Sequence, residues 1–442
     1  MTRNLLVRRG LLALFSATTL LLAACGGSSS DDAGTTSLRV LNLTADSTSV
    51  DVLLDDVKKF DAVGKDTLTA NITPSAATYA IKLNAKGTSQ TLLSASYSLS
   101  KDKHFTGVIW GSEGSIRMAT LPEDENSDAF SGTNAGNARM RVYNATTDMG
   151  SFDVYLTPTA TELDKTSATS AGVGSATLGG YKDIVAGTYR LRVTTANATG
   201  EADVRLDTTL TLTAKEHSTL IITAAGTGGV LVNGTHLVQQ AATKTDMKNT
   251  KARVRLVAGL DAKGTAMMSV GGTAVAGLLT SPNNNNPYKQ VTAGTTAVTL
   301  TLNGTEVTKP RTFAAGGDYT VIVYGNASSG YVDQVLTDDN SLPSSSRVRI
   351  RVVNAALGTA PVTMSIGYDP LVSGVVLGTA SSYAVTPSST AAVVDVTSTD
   401  VIYSSTDVPL QSQGVYTMFV LGGETSTTTG LPIASARMRK DR

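Results

Sequence analysis

The sequence predicts an all-β chain built from four tandem two-sheet sandwiches, and three observations carry that expectation. Composition is the first. The 442 residues are 41% hydrophobic and only 16% charged, with one Trp and seven Phe, so cores can form without a helix-bundle supply of Leu, Glu and Lys. The second is apolar/polar alternation at period two, bounded by Gly, Asn, Asp and Thr turns, which reads as strands with one face buried. The third is internal repetition. A chain of this length holds about two to four domains, and one pattern recurs four times.

The opening signature of each copy reads LRVLNLTADSTSVDVLL from Leu38, MRVYNATTDMGSFDVYL from Met140, VRLVAGLDAKGTAMMSV from Val254 and IRVVNAALGTAPVTMSI from Ile350. Its arginines, Arg39, Arg141, Arg255 and Arg351, recur at intervals of 102, 114 and 96 residues. A late signature follows in every copy: SLSKDKHFTGVIW, TLTAKEHSTLIIT, TFAAGGDYTVIVY and PLQSQGVYTMFVL, which aligns Thr106, Thr219, Thr320 and Thr417. A third, weaker one lies between them, clearest as YKDIVAGTYRLRV from Tyr181 and YKQVTAGTTAVTL from Tyr288.

Each copy supplies about six to eight strands in ~90–105 residues, which suits an immunoglobulin-like sandwich of two antiparallel sheets. The predicted modules span 37–125, 137–240, 251–338 and 346–434. A repeat this long buries its own core, so a solenoid is excluded. The aligned arginines alternate with Val and Leu, which places them on the outward face of a first strand. The intervening stretches EDENSDAFSGTNAGNA, QQAATKTDMKNTK and TDDNSLPSSS read as linkers. Strung end to end, modules with radii of gyration of ~13 Å would extend on the order of 100–150 Å as a rod or a string of beads.

Residues 1–24 read as a signal peptide: Arg3, Arg8 and Arg9 without an acid, then the apolar run LLALFSATTLLLAA, shorter than the ~20 residues of a spanning helix. Leu22-Ala23-Ala24-Cys25 resembles the lipobox of bacterial lipoproteins. That resemblance implies cleavage before Cys25, acylation of its thiol and amine, and a lipid bilayer as partner through the acylated Cys25. Two or three acyl chains make such attachment durable where one does not. Residues 25–36 then form a flexible polar tether. Gly26 in place of Asp favours the outer membrane in a two-membrane host. With Cys25 the only cysteine, the modules have no disulfides.

The first-strand pattern R-[VL]-x-[NA] with V-D-V following resembles the family called domain of unknown function 4397, which occurs as tandem copies in bacterial lipoproteins and secreted surface proteins. Copies one and two match best, through Asn42, Asp51, Val52 and Asn144, Asp153, Val154. Copy three has Ala258 and Ala-Met-Met instead. The resemblance spans nearly all of residues 38–434 and implies no activity, so no functional residue is transferred from it.

A search for chemistry is negative. His104 and His217 align with Asp318 and Val415, and a catalytic or metal role repeated in every module would not accept the valine. His236 has no partner at metal-ligand spacing, and there is no HExxH, cysteine cluster, G-x-S-x-G or nucleotide-binding glycine motif. Glu123-Asp124-Glu125 with Asp128 lacks the order of a calcium loop and reads as a solvated linker. Trp110 and Tyr324 could stack on sugar, but Thr223 and Leu421 at equivalent positions favour packing. No cofactor and no metal site is expected. Formal charge is zero, and removing the three N-terminal arginines leaves 33 basic against 36 acidic residues, so electrostatics give no reason to bind nucleic acid.

The leading expectation is therefore a non-enzymatic, membrane-anchored lipoprotein of the cell envelope whose modules act in binding, adhesion or spacing, toward a protein or glycan partner. The alternative is a periplasmic sugar- or peptide-binding lipoprotein serving a transporter, against which the absence of helical lobes counts.

Overall fold

The computed structural model describes residues 34–46, 49–112, 114–123, 130–198, 200, 203–425 and 432–442. Cys25 and the lipobox residues Leu22, Ala23 and Ala24 lie outside the described residues, as do Asp124, Glu125 and Asp128 of the acidic run.

Four β-sandwiches follow one another, with seven, ten, eight and nine strands among the described residues. Two single helical turns, Gly132–Asn134 and Leu163–Lys165, lie among those residues. The sheets explain why the two signatures recur together. The first strands are Ser37–Thr44, Asn137–Asn144, Lys251–Leu260 and Arg347–Ala355. Each runs parallel to the strand carrying the late signature: His104–Gly111, His217–Ala224, Asp318–Asn326 and Val415–Thr425. The register is the same in all four, pairing Arg39 with Thr106, Arg141 with Thr219, Arg255 with Thr320 and Arg351 with Thr417. An antiparallel strand flanks the late one: Arg117–Pro122, Val232–Val238, Gly330–Asp338 and Pro432–Lys440.

The second sheet of every module has four antiparallel strands in the spatial order 2-1-3-4. In the first module these are Ser49–Leu54, Val57–Gly64, Ala77–Ala85 and Thr91–Leu99. Alternation sends one side of each sheet inward. Leu38 and Val40 meet Val50, Val52, Ile81 and Leu83; Val254 and Leu256 meet Met268, Val298, Leu300 and Phe313. A fully buried aliphatic side chain contributes roughly 1.5–3 kcal/mol, so four such cores hold without disulfides.

Two boundaries differ from the sequence reading. The second module's sheet continues past 240 with Lys244–Met247, paired to Val232–Val238. The fourth module's continues past 434 to Lys440. Both additions are short alternating stretches beside charged residues, a pattern that reads as linker until a neighbouring strand pairs with it.

The extended string of beads is also corrected. The outer faces of the first sheets are apolar beyond their arginines, and they pack against each other. Leu41, Leu43, Val108, Trp110 and Leu121 of the first module form one cluster with Tyr143, Ala145, Ile221 and Leu237 of the second. Val257, Ile322, Tyr324 and Leu336 of the third do the same with Val353, Ala355, Phe419 and Leu421 of the fourth. The modules are thus two face-to-face pairs. Trp110 and Tyr324 lie inside these interfaces, 2% and 7% exposed, with no face open to a sugar.

Contacts of the second module with the third and fourth join the pairs. Asn340 N donates to Gly228 O at 2.7 Å, Gln290 Nε2 to Val204 O at 2.9 Å, and Arg442 reaches the carbonyls of Asp148, Met149 and Asn340. Gly229 approaches the Gly316 backbone so closely that a Cβ there would stand 1.7 Å from Gly316 O.

Candidate functional site

The residues shared by all four copies converge at these interfaces. Arg39, Arg141, Arg255 and Arg351 do point away from their own cores, but a neighbouring module covers them. They are 2%, 6%, 0% and 2% exposed, not solvated. In every copy the guanidinium Nε donates to the aligned threonine hydroxyl, at 2.9, 3.1, 2.8 and 3.2 Å. Parallel register dictates this, because it sets the two side chains beside each other on one face of the sheet.

The outer nitrogens cross to the other module of the pair. Arg39 reaches the carbonyls of Val238 and Ala241, and Arg141 reaches the carbonyl of Pro122. Arg255 bonds to Asp441, while Arg351 bonds to Asp338 and, at 3.1 Å, to Thr337 O. Each arginine therefore grips the end of the strand that flanks its partner module's late strand, or the residues just past it, and the exchange is reciprocal within each pair.

Acidic residues complete the arrangement at one repeated ladder position. Glu123 stands opposite His104, Asp338 opposite Asp318 and Asp441 opposite Val415, with Gln239 opposite His217 in the second copy. Glu123 Oε1 accepts from Arg39 at 2.9 Å and from Thr106 at 3.0 Å. Asp338 Oδ2 and Asp441 Oδ2 each accept from their own module's threonine at 2.6 Å. A tyrosine covers the guanidinium in three copies: Tyr181 over Arg141 at 4.6 Å, Tyr288 over Arg255 at 4.5 Å and Tyr383 over Arg351 at 4.8 Å. Tyr181 and Tyr288 open the weak middle signature; the first copy has no tyrosine between residues 65 and 76.

The electrostatics follow from burial. Desolvation pushes the Asp338 carboxyl up, but Arg351 and Arg255 with the Thr320 and Tyr288 hydroxyls outweigh it and hold it below its ordinary 3.8. Burial and neighbouring Asp338 drive the Tyr288 phenol well above 10. Tyr288 therefore stays protonated and donates to Asp338 Oδ2 at 2.6 Å. Buried charges in such a set act on geometry, since wrongly docked modules would leave them unpaired.

Residues of the first-strand motif are architectural too. Asn42 Nδ2 donates to Val63 O at 2.9 Å, Asn144 Nδ2 to Val173 O at 3.0 Å and Asn354 Nδ2 to Val375 O at 3.1 Å, which ties the two sheets together. The V-D-V aspartates are buried. Asp51 accepts from Ala62 N and Gly87 N, and Asp153 from Gly172 N and Asn197 N, so each ties the adjacent edge strand to a turn of the second sheet. His236 Nε2 lies 3.0 Å from Glu216 Oε1, an acidic neighbour that sequence spacing did not reveal. No group of three or more His, Cys, Asp or Glu side chains able to hold a metal occurs among the described residues.

Sequence reasoning missed the acids because Glu123 and Asp338 fall in stretches composed like linkers. The available signal was an acid or amide closing the last alternating strand of every copy.

Comparison with known proteins agrees with the repeat. The profile of the family described as domain of unknown function (DUF4397) matches three times, over residues 36–155, 138–263 and 252–365. Each match runs one module and into the first strands of the next, and the fourth module is matched only through 365. No curated protein matches the sequence. Among solved structures, a candidate cell adhesion protein from Bacteroides uniformis aligns at 11% identity and TM-score 0.21, over 46% of this chain and 99% of its own. A family 26 carbohydrate-binding module from Eubacterium rectale, solved with maltoheptaose, aligns at 13% and 0.15, over 48% and 96%. A candidate cell adhesion protein from Bacteroides fragilis aligns at 11% and 0.15, over 45% and 86%. The sandwich assignment rests on the sheets themselves.

Proposed function

The chain belongs to the domain of unknown function 4397 family, and from that premise we propose that it is a non-catalytic cell-envelope lipoprotein, anchored through acylated Cys25, whose paired sandwiches present a binding surface. The observation that carries this reading is where the repeated residues went. Arginine, threonine, acid and tyrosine are spent on locking modules together, and the motif Asn and Asp on locking sheets together. Chemistry shared by the copies is thereby architectural. Contact with a partner falls to what the copies do not share, the outer faces of the second sheets and the turns between strands. Such a surface suits adhesion or spacing toward a protein or glycan, on the outer membrane of a two-membrane host.

The test combines anchoring and exposure in the producing cell. Labelled palmitate is expected to enter the wild-type chain and not a Cys25→Ser variant, which should leave the membrane fraction. Protease added to intact cells should then degrade the modules. Membrane retention of the variant would overturn the anchor, and complete protection from protease would overturn surface adhesion in favour of a periplasmic role. Glycan and matrix-protein arrays with the acyl-free chain identify the ligand class.

A further inference from the structure

Edge strands of a sheet expose unpaired N–H and C=O groups, and proteins blunt them with charge, proline or bulges. The last strand of each second sheet is such an edge, and comparing the four shows one left unblunted. Val204–Leu212 carries Arg205 and Asp207, and residues of the third module and the following segment bond to the Val204 and Arg205 carbonyls. Thr305–Phe313 carries Glu306, Lys309, Pro310 and Arg311. Val401–Leu410 carries Asp407 and Pro409 and is broken by three register shifts. Thr91–Leu99, TLLSASYSL, has neither charge nor proline, and its pairing runs unbroken from Leu99 to Leu93.

The opposite edge of the same sheet, Val57–Gly64, is guarded by Lys58, Lys59, Asp61 and two register shifts. The uncharged edge Thr273–Thr280 in the third module is also twice shifted. Neutral, and unshifted over the seven residues from Leu93 to Leu99 with a single register shift before them, Thr91–Leu99 is the odd one among these edges.

We propose that Thr91–Leu99 is a strand-addition site at which a second copy of this chain docks, edge to edge and antiparallel, about a two-fold axis through Ala95. The segment is self-complementary in that register. Leu93 meets Tyr97 of the other copy twice, an aliphatic–aromatic cross-strand pair on the core side, and Ser94 meets Ser96 twice on the outer side. Leu93 and Tyr97 are only half-buried in the single chain, and a fifth and sixth strand would cover them. No charge is brought to its like.

The direction of the free donors follows from the third module. Pro310 pairs with Ala297 three residues from Phe313, as Ser96 pairs with Ala80 three residues from Leu99. A proline has no N–H to give its neighbour strand, so the N–H at this position faces outward. Ser94, Ser96 and Ser98 therefore present the free groups, and pairs of Ser94 with Ser96 are the hydrogen-bonded ones. A single shared edge buries less than the ~1,600 Å² of a standard interface, so the dimer is concentration-dependent.

The experiment uses the full chain carrying Cys25→Ser, free of acyl groups and of thiol. Sedimentation equilibrium should show the mass rising toward twice the monomer value through the micromolar range. Ser96→Pro copies the third module's own residue and should leave the melting curve unchanged while abolishing the rise; Ser96→Lys should do the same. Ala95→Cys should give an oxidised dimer, since facing non-hydrogen-bonded residues lie within disulfide reach. A monomer at every concentration would overturn the proposal. So would a dimer indifferent to both Ser96 variants, or one that Ala95→Cys does not cross-link.

Discussion

Thr320 donates its hydroxyl hydrogen to Asp338 Oδ2 at 2.6 Å while its oxygen accepts Arg255 Nε at 2.8 Å. One hydroxyl thus links the first, late and last strands of the third module, and through Asp338 it reaches Arg351 of the fourth. Thr417 repeats the relationship with Arg351 and Asp441.

Thr320→Val should cost about 1–3 kcal/mol, because a buried donor and a buried acceptor each lose a partner without a change of shape. Thr417→Val should cost a similar amount. Urea unfolding of both singles and the double should give less than the sum, since the two hydroxyls serve one network.

Arg351→Leu should cost roughly 3–5 kcal/mol, well beyond the threonine variants, because Asp338 stays buried with its closest cation gone. The loss should concentrate in the third and fourth modules. Hydrogen exchange would then rise across Arg347–Ala355 and Gly330–Asp338 while the first two modules keep their protection.

Acid should weaken the second pair through Asp338. The Asp338 carboxyl is depressed below 3.8 in the folded chain by Arg351 and Arg255 against the pull of burial. Its contribution is complete above the unfolded value and is lost as pH falls through the folded one. Melting temperature should stay level from neutrality to about pH 5 and drop below about pH 4. Asp338→Asn should melt lower at neutrality and fall less steeply in acid.

Trp110 reports on the first pair, since it is the only tryptophan in the chain and packs edge-on to Tyr143 with ring centroids 6.4 Å apart. Ile221→Asp places an unpaired charge in that interface and outside either module's core. Emission of the variant should shift to the red while far-ultraviolet circular dichroism keeps its strand signal. An unshifted spectrum would mean that the interface does not depend on this packing.

Much of this was legible in the sequence because the period-two pattern and the repeated signatures are local. Arg39 and Thr106 could be aligned with their counterparts from text alone. What the text could not reveal is that a strand's outer face becomes an interior when two modules meet. Leu41 and Leu43 beside Arg39 were the trace of it: an outward face with that much aliphatic surface has a partner. Glu123 and Asp338 were hidden for the opposite reason. Glu123 is buried against Arg39, 84 residues before it, and Asp338 against Arg351, 13 residues after it but in the next module, and no composition window reports such a contact. Cys25 with Leu22, Ala23 and Ala24 remains a statement of sequence, carried by order and spacing.

The parallel pairing of first and late strands has a mechanical consequence. The chain enters each module along its first strand, which is bonded to the late strand over most of its length, eight residue pairs from Ser37 to Thr44 in the first copy. A pull on the entering chain directed along that strand loads those bonds together in shear instead of unzipping them one at a time. With Arg141 of the second module holding Pro122 at the end of the first module's last strand, load arriving at Ser37 is shared across that pair of modules. Resistance to forced unfolding is a matter of unfolding rate, and this geometry is one that slows it.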